Sequence, residues 1–142
     1  LKTKMELINS LKKYARIFIS SESKLPDEMM KYKLDISAEK IHSILKYASL
    51  YIGEGATMAS ECAALGTPAI YINDLNAGTL IDQSSRGLIY HFESYSKDII
   101  KTSKSLLNDK DLLINHKEKH AKMLNEKIDL THFMVKLVNK FV

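Results

Sequence analysis

The sequence predicts an α/β fold, a Rossmann-like three-layer sandwich around a parallel sheet. Short apolar, β-favouring runs recur at residues 15–20, 50–52, 69–72 and 88–91. Each of the last three is followed by a helix-forming stretch and a short connection, the order of βα units. The 142 residues are enough for one domain with a real core.

Taken in order, residues 1–13 form a helix, because Leu1, Met5, Ile8 and Leu11 fall on one face. Residues 15–20 (ARIFIS) are expected as a buried strand, and 21–26 as a loop ending in Pro26. One or two helical turns follow over 27–32. Ser37 is the expected N-cap of a helix over 38–47, with Lys40 where a capping-box glutamate would stand. Residues 50–52 are a short strand, broken by Gly53-Glu54-Gly55. Residues 56–65 (ATMASECAAL) are rich in helix formers. Gly66 ends that helix in a left-handed conformation, and Pro68 prevents its continuation. After the strand at 69–72 comes a polar turn, then a helix capped by Thr79 and ended by Gly87. The strand at 88–91 leads to a helix starting at Ser94 or Ser96, and two more helices span 111–127 and 131–142.

Composition excludes several classes. One cysteine, Cys62, makes neither an intramolecular disulfide nor a cysteine-based zinc site. No apolar run approaches the ~18–20 residues of a membrane span, and no signal peptide is visible. A net charge of +4, spread along the chain, gives no reason to expect nucleic acid as a partner. The chain opens on leucine, not methionine, so it reads as an excised domain or a processed product, with an upstream domain expected.

Chemistry concentrates at residues 51–74 (YIGEGATMASECAALGTPAIYIND), where a strand runs into Gly53-Glu54-Gly55 and a helix begins at once. Glycines there allow a sharp turn and a close approach of ligand to backbone. The amides of Ala56, Thr57 and Met58, free at the helix start, form with the helix dipole an anion site suited to a diphosphate. The Thr57 hydroxyl can add to it. Glu61 lies six residues beyond Gly55, about 9 Å along the helix, where a carboxylate can accept from a ribose diol. This is a phosphate cradle followed by a sugar-hydroxyl acceptor. It is not the G-x-G-x-x-G fingerprint, whose third glycine falls on Met58, and no Walker A lysine is present. The bland alternative is a tight strand-to-helix turn with no ligand.

The pattern from Gly53 through Thr57-Met58-Ala59-Ser60-Glu61 to Leu65-Gly66-Thr67-Pro68-Ala69 resembles a family of archaeal and bacterial proteins related to GT-B glycosyltransferases. More distantly it is similar to the donor-binding domains of the lipid-II-forming N-acetylglucosaminyltransferase and the non-hydrolysing UDP-N-acetylglucosamine 2-epimerases. The likeness covers about 60 residues, from about Leu34 to His91, and includes the helix at 41–48. It implies one half of a GT-B fold in which Gly55, Ala56 and Thr57 hold the diphosphate and Glu61 the ribose. Asn76, Gly78 and Thr79 match the loop near the donor sugar and phosphates. The resemblance implies a nucleotide sugar as partner, a UDP-sugar first of all, in the cytoplasm, with no cofactor. The catalytic base is expected in the absent N-terminal domain, and no catalytic residue in this chain.

Two other readings stay open. One is half of an epimerase acting on UDP-N-acetylglucosamine. The other is a non-enzymatic binding or assembly module with a decayed donor site, marked by the Glu54 carboxylate beside the diphosphate, which would form a homodimer. His116 and His120 have the i, i+4 spacing of metal ligands but no third ligand, so no metal site is expected. The lysine-rich run 117–127 reads as a solvated face, with membrane-surface contact open, since the relatives act on lipid-linked sugars. Phe133, Leu137, Val138 and Phe141 read as packed core or as a patch that meets the absent domain.

Overall fold

The structure, a computed structural model, describes residues 2–21 and 23–141. Leu1, Glu22 and Val142, which fall in the predicted first helix, first loop and last helix, lie outside the described residues.

Three strands form a parallel sheet in the order β1 (Tyr51–Gly53), β2 (Ala69–Ile72), β3 (Ile89–Phe92). Ile52 pairs with Ile70, and Ile70 with Tyr90. The crossovers are α3 (Ala56–Leu65) and α4 (Gly78–Ser85). Ahead of the sheet come α1 (Lys2–Leu11) and α2 (Ile41–Tyr47), and after it α5 (Lys97–Asn108), α6 (Lys110–Glu126) and α7 (Leu130–Val138).

The period-2 alternation of β2 sorts the core into two clusters. Ala69 and Tyr71 join Ala59, Cys62 and Ala63 of α3, Leu45 of α2, Leu80 of α4 and Met123 of α6. Ile70 and Ile72 face the other way, onto Ile99 and Leu106 of α5 and Leu7 of α1. Helices on both faces make three layers, as the sequence predicts, and β2, fully covered, reads as the continuous apolar run AIYI.

Two turns use positive-φ glycines. Gly66 (φ 85°) ends α3, with Gly66 N–H donating to Ala63 and Thr67 N–H to Cys62. Gly87 (φ 70°) ends α4 in the same way, through Ser84 and Gln83.

Four expectations are corrected. Residues 15–20 are not a sheet strand: Ile19 alone makes a parallel bridge, to Lys33. Arg16, Phe18 and Ser20 are exposed while Ala15, Ile17 and Ile19 are half-buried, so the run alternates like a strand but lacks a ladder. The helix at 38–47 is a 3-10 turn (Ala38–Lys40) leading into α2, and Ser37 caps nothing. Its hydroxyl serves the Glu39 carboxylate, which it helps hold below the usual range, second to a backbone amide. Thr79 is not the cap of α4: Ala77 holds that position and Gly78 is the first helical residue. Phe133, Leu137, Val138 and Phe141 are exposed, not packed core. Two caps the sequence reading missed are Asp109, which accepts from the amides of Asp111 and Leu112, and Asp129, which accepts from that of His132.

Candidate functional site

The carboxyl ends of the three strands carry the candidate site, the edge where open α/β sheets take their ligands. Gly53 closes β1, Glu54 and Gly55 form the turn, and Ala56 and Thr57 open α3. Gly55 occupies the N-cap position at φ −85°, and no side chain caps the helix. The first amides of a ten-residue helix are thus directed out of the sheet edge without a side-chain acceptor.

The need for glycine at Gly53 is one of space. A Cβ there would collide with the Tyr51 hydroxyl, whose ring lies across the turn. At Gly55 a Cβ would stand at an ordinary 3.7 Å from the same hydroxyl. Burial pushes the Tyr51 phenol up to about 12, so it stays protonated beside the turn.

Thr57 and Glu61 are one helical turn apart and share a face of α3. Thr57 is exposed and Glu61 half-buried. The Glu61 carboxylate meets His42 Nε2 of α2 at 3.3 Å, a contact that fixes the carboxylate when the imidazole is protonated. Cys62, next in the chain, is fully buried, and burial followed by the Glu61 charge pushes its thiol up to about 12. It is a core residue, not a thiolate nucleophile.

Glu54 points elsewhere. Its Oε1 lies 3.1 Å from Lys4 Nζ of α1 and accepts from the Tyr95 hydroxyl at 3.2 Å. Those hydrogen bonds, Lys4 first, hold the carboxyl below its usual range against the opposing effect of burial. The Glu54 carbonyl accepts from Asn73 Nδ2 at 3.2 Å, which ties the loop after β2 to the glycine turn. The Asn73 carbonyl in turn takes His91 Nε2 at 2.6 Å, so that nitrogen carries the proton. The His91 ring is tilted against Tyr71, with centroids 5.0 Å apart. One chain of hydrogen bonds thus joins the carboxyl ends of all three strands.

Of the residues singled out from sequence, Gly53, Glu54, Gly55, Ala56, Thr57 and Glu61 follow one another along the end of β1, the turn and α3, with the Glu54 side chain turned away to Lys4 and Tyr95. Asn76, Gly78 and Thr79 are exposed on the neighbouring loop and the start of α4. Asn76 donates to Asp74 within its own loop, and among the described residues no side-chain hydrogen bond joins these three to the turn. Lys4, His42, Tyr51, Asn73, His91 and Tyr95 escaped the sequence reading as site residues. A hollow of about 240 Å³ between α1 and the start of α5, lined in part by Leu7 and Tyr95, lies on the far face from α3. Among the described residues no group of histidine, cysteine or carboxylate side chains could hold a metal ion. His120 Nε2 instead meets the Ala64 carbonyl at 2.9 Å, and His116 is buried.

Sheet order, three layers and a glycine-led, uncapped helix at the carboxyl edge define an open-sheet α/β protein. Within that class the chain belongs to the family described as protein of unknown function DUF354, whose sequence profile matches residues 3–142. No curated protein and no solved structure matches it. No described helix is long and apolar enough to cross a membrane.

Proposed function

We propose that this chain binds a nucleotide-diphosphate sugar, a UDP-sugar first of all, as the donor-binding domain of a GT-B-type glycosyltransferase. One observation carries the reading: the uncapped start of α3 at the carboxyl edge, with Glu61 on the same helix face as Thr57. The amides of Ala56, Thr57 and Met58 take the diphosphate, and the Glu61 carboxylate takes the ribose hydroxyls. In transfer, those amides stabilise the negative charge of the departing diphosphate. The acceptor and the base that activates it belong to a partner domain, and the reaction runs in the cytoplasm.

The Glu54 carboxylate, whose charge would oppose an anion, has partners of its own. Lys4 of α1 and Tyr95, which leads into α5, draw its carboxylate toward the face away from α3.

The test is a titration with UDP, UDP-N-acetylglucosamine and GDP followed by amide NMR. Shifts are expected at residues 53–61 and 76–79. Glu61→Ala removes a charged acceptor and should weaken UDP binding about tenfold or more. Unchanged spectra at millimolar nucleotide would overturn the proposal for this chain.

A further inference from the structure

The segment from Gly53 to Glu61 carries two carboxylates, and different chemistry holds each. Glu54 meets the Lys4 ammonium and the Tyr95 hydroxyl. Glu61 meets His42 Nε2 of α2 at 3.3 Å, and among the described residues no other cation comes within ion-pair distance of it. An imidazole, unlike an ammonium, changes charge near neutrality.

The His42–Glu61 pair is not what holds α2 on α3. Ile41 and Leu45 already pack with α3 in the core, and the Thr67 hydroxyl donates to the Leu45 carbonyl. With 58% and 37% of the two side chains exposed, the pair adds little to stability. Its effect is on orientation. An exposed glutamate samples several rotamers, and selecting one of them on binding weakens that binding. An imidazolium beside Oε1 makes the selection in advance. A carboxylate has about four lone-pair positions, so one such neighbour leaves room for a diol.

We infer that His42 is the positioning residue of the ribose acceptor: its imidazolium sets the Glu61 carboxylate in place, so that donor binding tightens as the imidazole takes up its proton. The inference rests on the reading of Glu61 as that acceptor. On its own helix His42 has Lys46 one turn further on. The 3-10 turn before it carries Lys40 and Glu39, whose carboxylate is engaged with a backbone amide and Ser37. From α3 come Glu61 and, next to it, Cys62, whose thiol stays protonated. Glu61 is therefore the carboxylate that a charge on His42 addresses. When the proton leaves, that attraction lapses and the carboxylate is free to turn into solvent.

The test is binding of UDP-N-acetylglucosamine, followed by amide NMR at about pH 8 and about pH 5.5, either side of the ordinary imidazole range. The sugar nucleotide is the probe instead of UDP, whose terminal phosphate itself takes up a proton at about pH 6. The parent should bind about threefold more tightly at the lower pH. His42→Gln should bind equally at both, with the weaker affinity. His42→Lys, a lasting cation, should bind equally at both with the tighter one. His91 at the same edge is present in all three proteins, so the differences belong to His42. Without nucleotide, the carboxyl carbon-13 resonance of Glu61 should move across this pH span in the parent and far less in His42→Gln. Equal movement in the two, or the same pH slope of affinity in both, overturns the inference and leaves the donor reading in place. No binding at either pH, with the resonance moving as expected, overturns the donor reading and the role of His42 with it.

Discussion

The Glu54 carboxylate stands one residue before the turn reaches α3, and a negative charge there would repel a diphosphate. Its partners determine how much of that charge the anion would meet. Lys4 and Tyr95 both engage Oε1, on the sheet face opposite α3. The Lys4–Glu54 pair is about half exposed on both sides, 52% and 51%, so its removal should cost less than about 1 kcal/mol of stability. Glu54→Gln is therefore expected to change UDP affinity by less than about threefold, since a paired and solvated charge is screened. Isothermal titration calorimetry of the variant checks this, and a gain of tenfold or more would show that the carboxylate does act on the anion position. The turn itself was legible because its signal is local: strand, Gly53-Glu54-Gly55 and helix follow one another within a few residues. Lys4, Asn73 and Tyr95 were not, because nothing nearby in the sequence marks a residue whose partner is 19 to 50 positions away. Lys4 in particular reads as one more exposed lysine on an amphipathic helix.

At the scale of elements, α3 and β2 have the bounds the sequence predicts, residues 56–65 and 69–72. Their ends are fixed by chain chemistry: a glycine at positive φ and a proline two residues on. Residues 15–20 show the opposite case. Their alternation is real, yet a strand exists only where another edge accepts its hydrogen bonds, and a local pattern carries no information about that edge. Among the described residues only Ile19 of this run bonds to another extended segment, its N–H donating to the Tyr32 carbonyl and its carbonyl accepting from Leu34 N–H. The α3–β2 turn has a further anchor that the sequence does not announce. Thr67 is fully buried, and its hydroxyl donates to the Leu45 carbonyl at 2.6 Å, tying α2 to the floor of α3. Thr67→Val keeps the shape but removes that donor, and the carbonyl keeps only the Ala48 N–H at 3.2 Å. The loss should be about 0.5–1.5 kcal/mol, read as a lower urea midpoint at unchanged slope. The matching loss in nucleotide affinity should be small, because the Leu45 contact lies at the opposite end of α3 from its free amides.

The whole molecule has two unlike ends. The carboxyl edge of the sheet carries the glycine turn and its free amides, while α6 closes the amino edge, where α3 and α4 finish. His120 covers Gly66, and Lys119 covers Gly87, basic groups set against helix carboxyl termini. Arg86, just past α4, bridges Glu126, and Lys127 bridges Asp82. Beneath this layer His116 is buried, with neither ring nitrogen hydrogen-bonded. Burial first, then the nearby His120 and Lys119 charges, push its pKa down to about 4. The direction of the effect on stability follows. In the unfolded chain the imidazole takes a proton near pH 6.5, while in the fold it stays neutral to about 4. The unfolded state therefore binds more protons between those values, and stability is lost as pH falls through that window. The loss between pH 7 and pH 5 should be about 2 kcal/mol from this group. In His116→Leu an apolar side chain replaces one that has no polar partner, so stability at pH 7 should hold or rise and this contribution to the acid loss should vanish. Urea unfolding of both proteins at pH 7 and pH 5 measures the difference. Parallel losses in parent and variant would show that His116 is not the group that destabilises the amino end in acid, and would turn attention to the carboxylates of the Asp82–Arg86–Glu126 cluster.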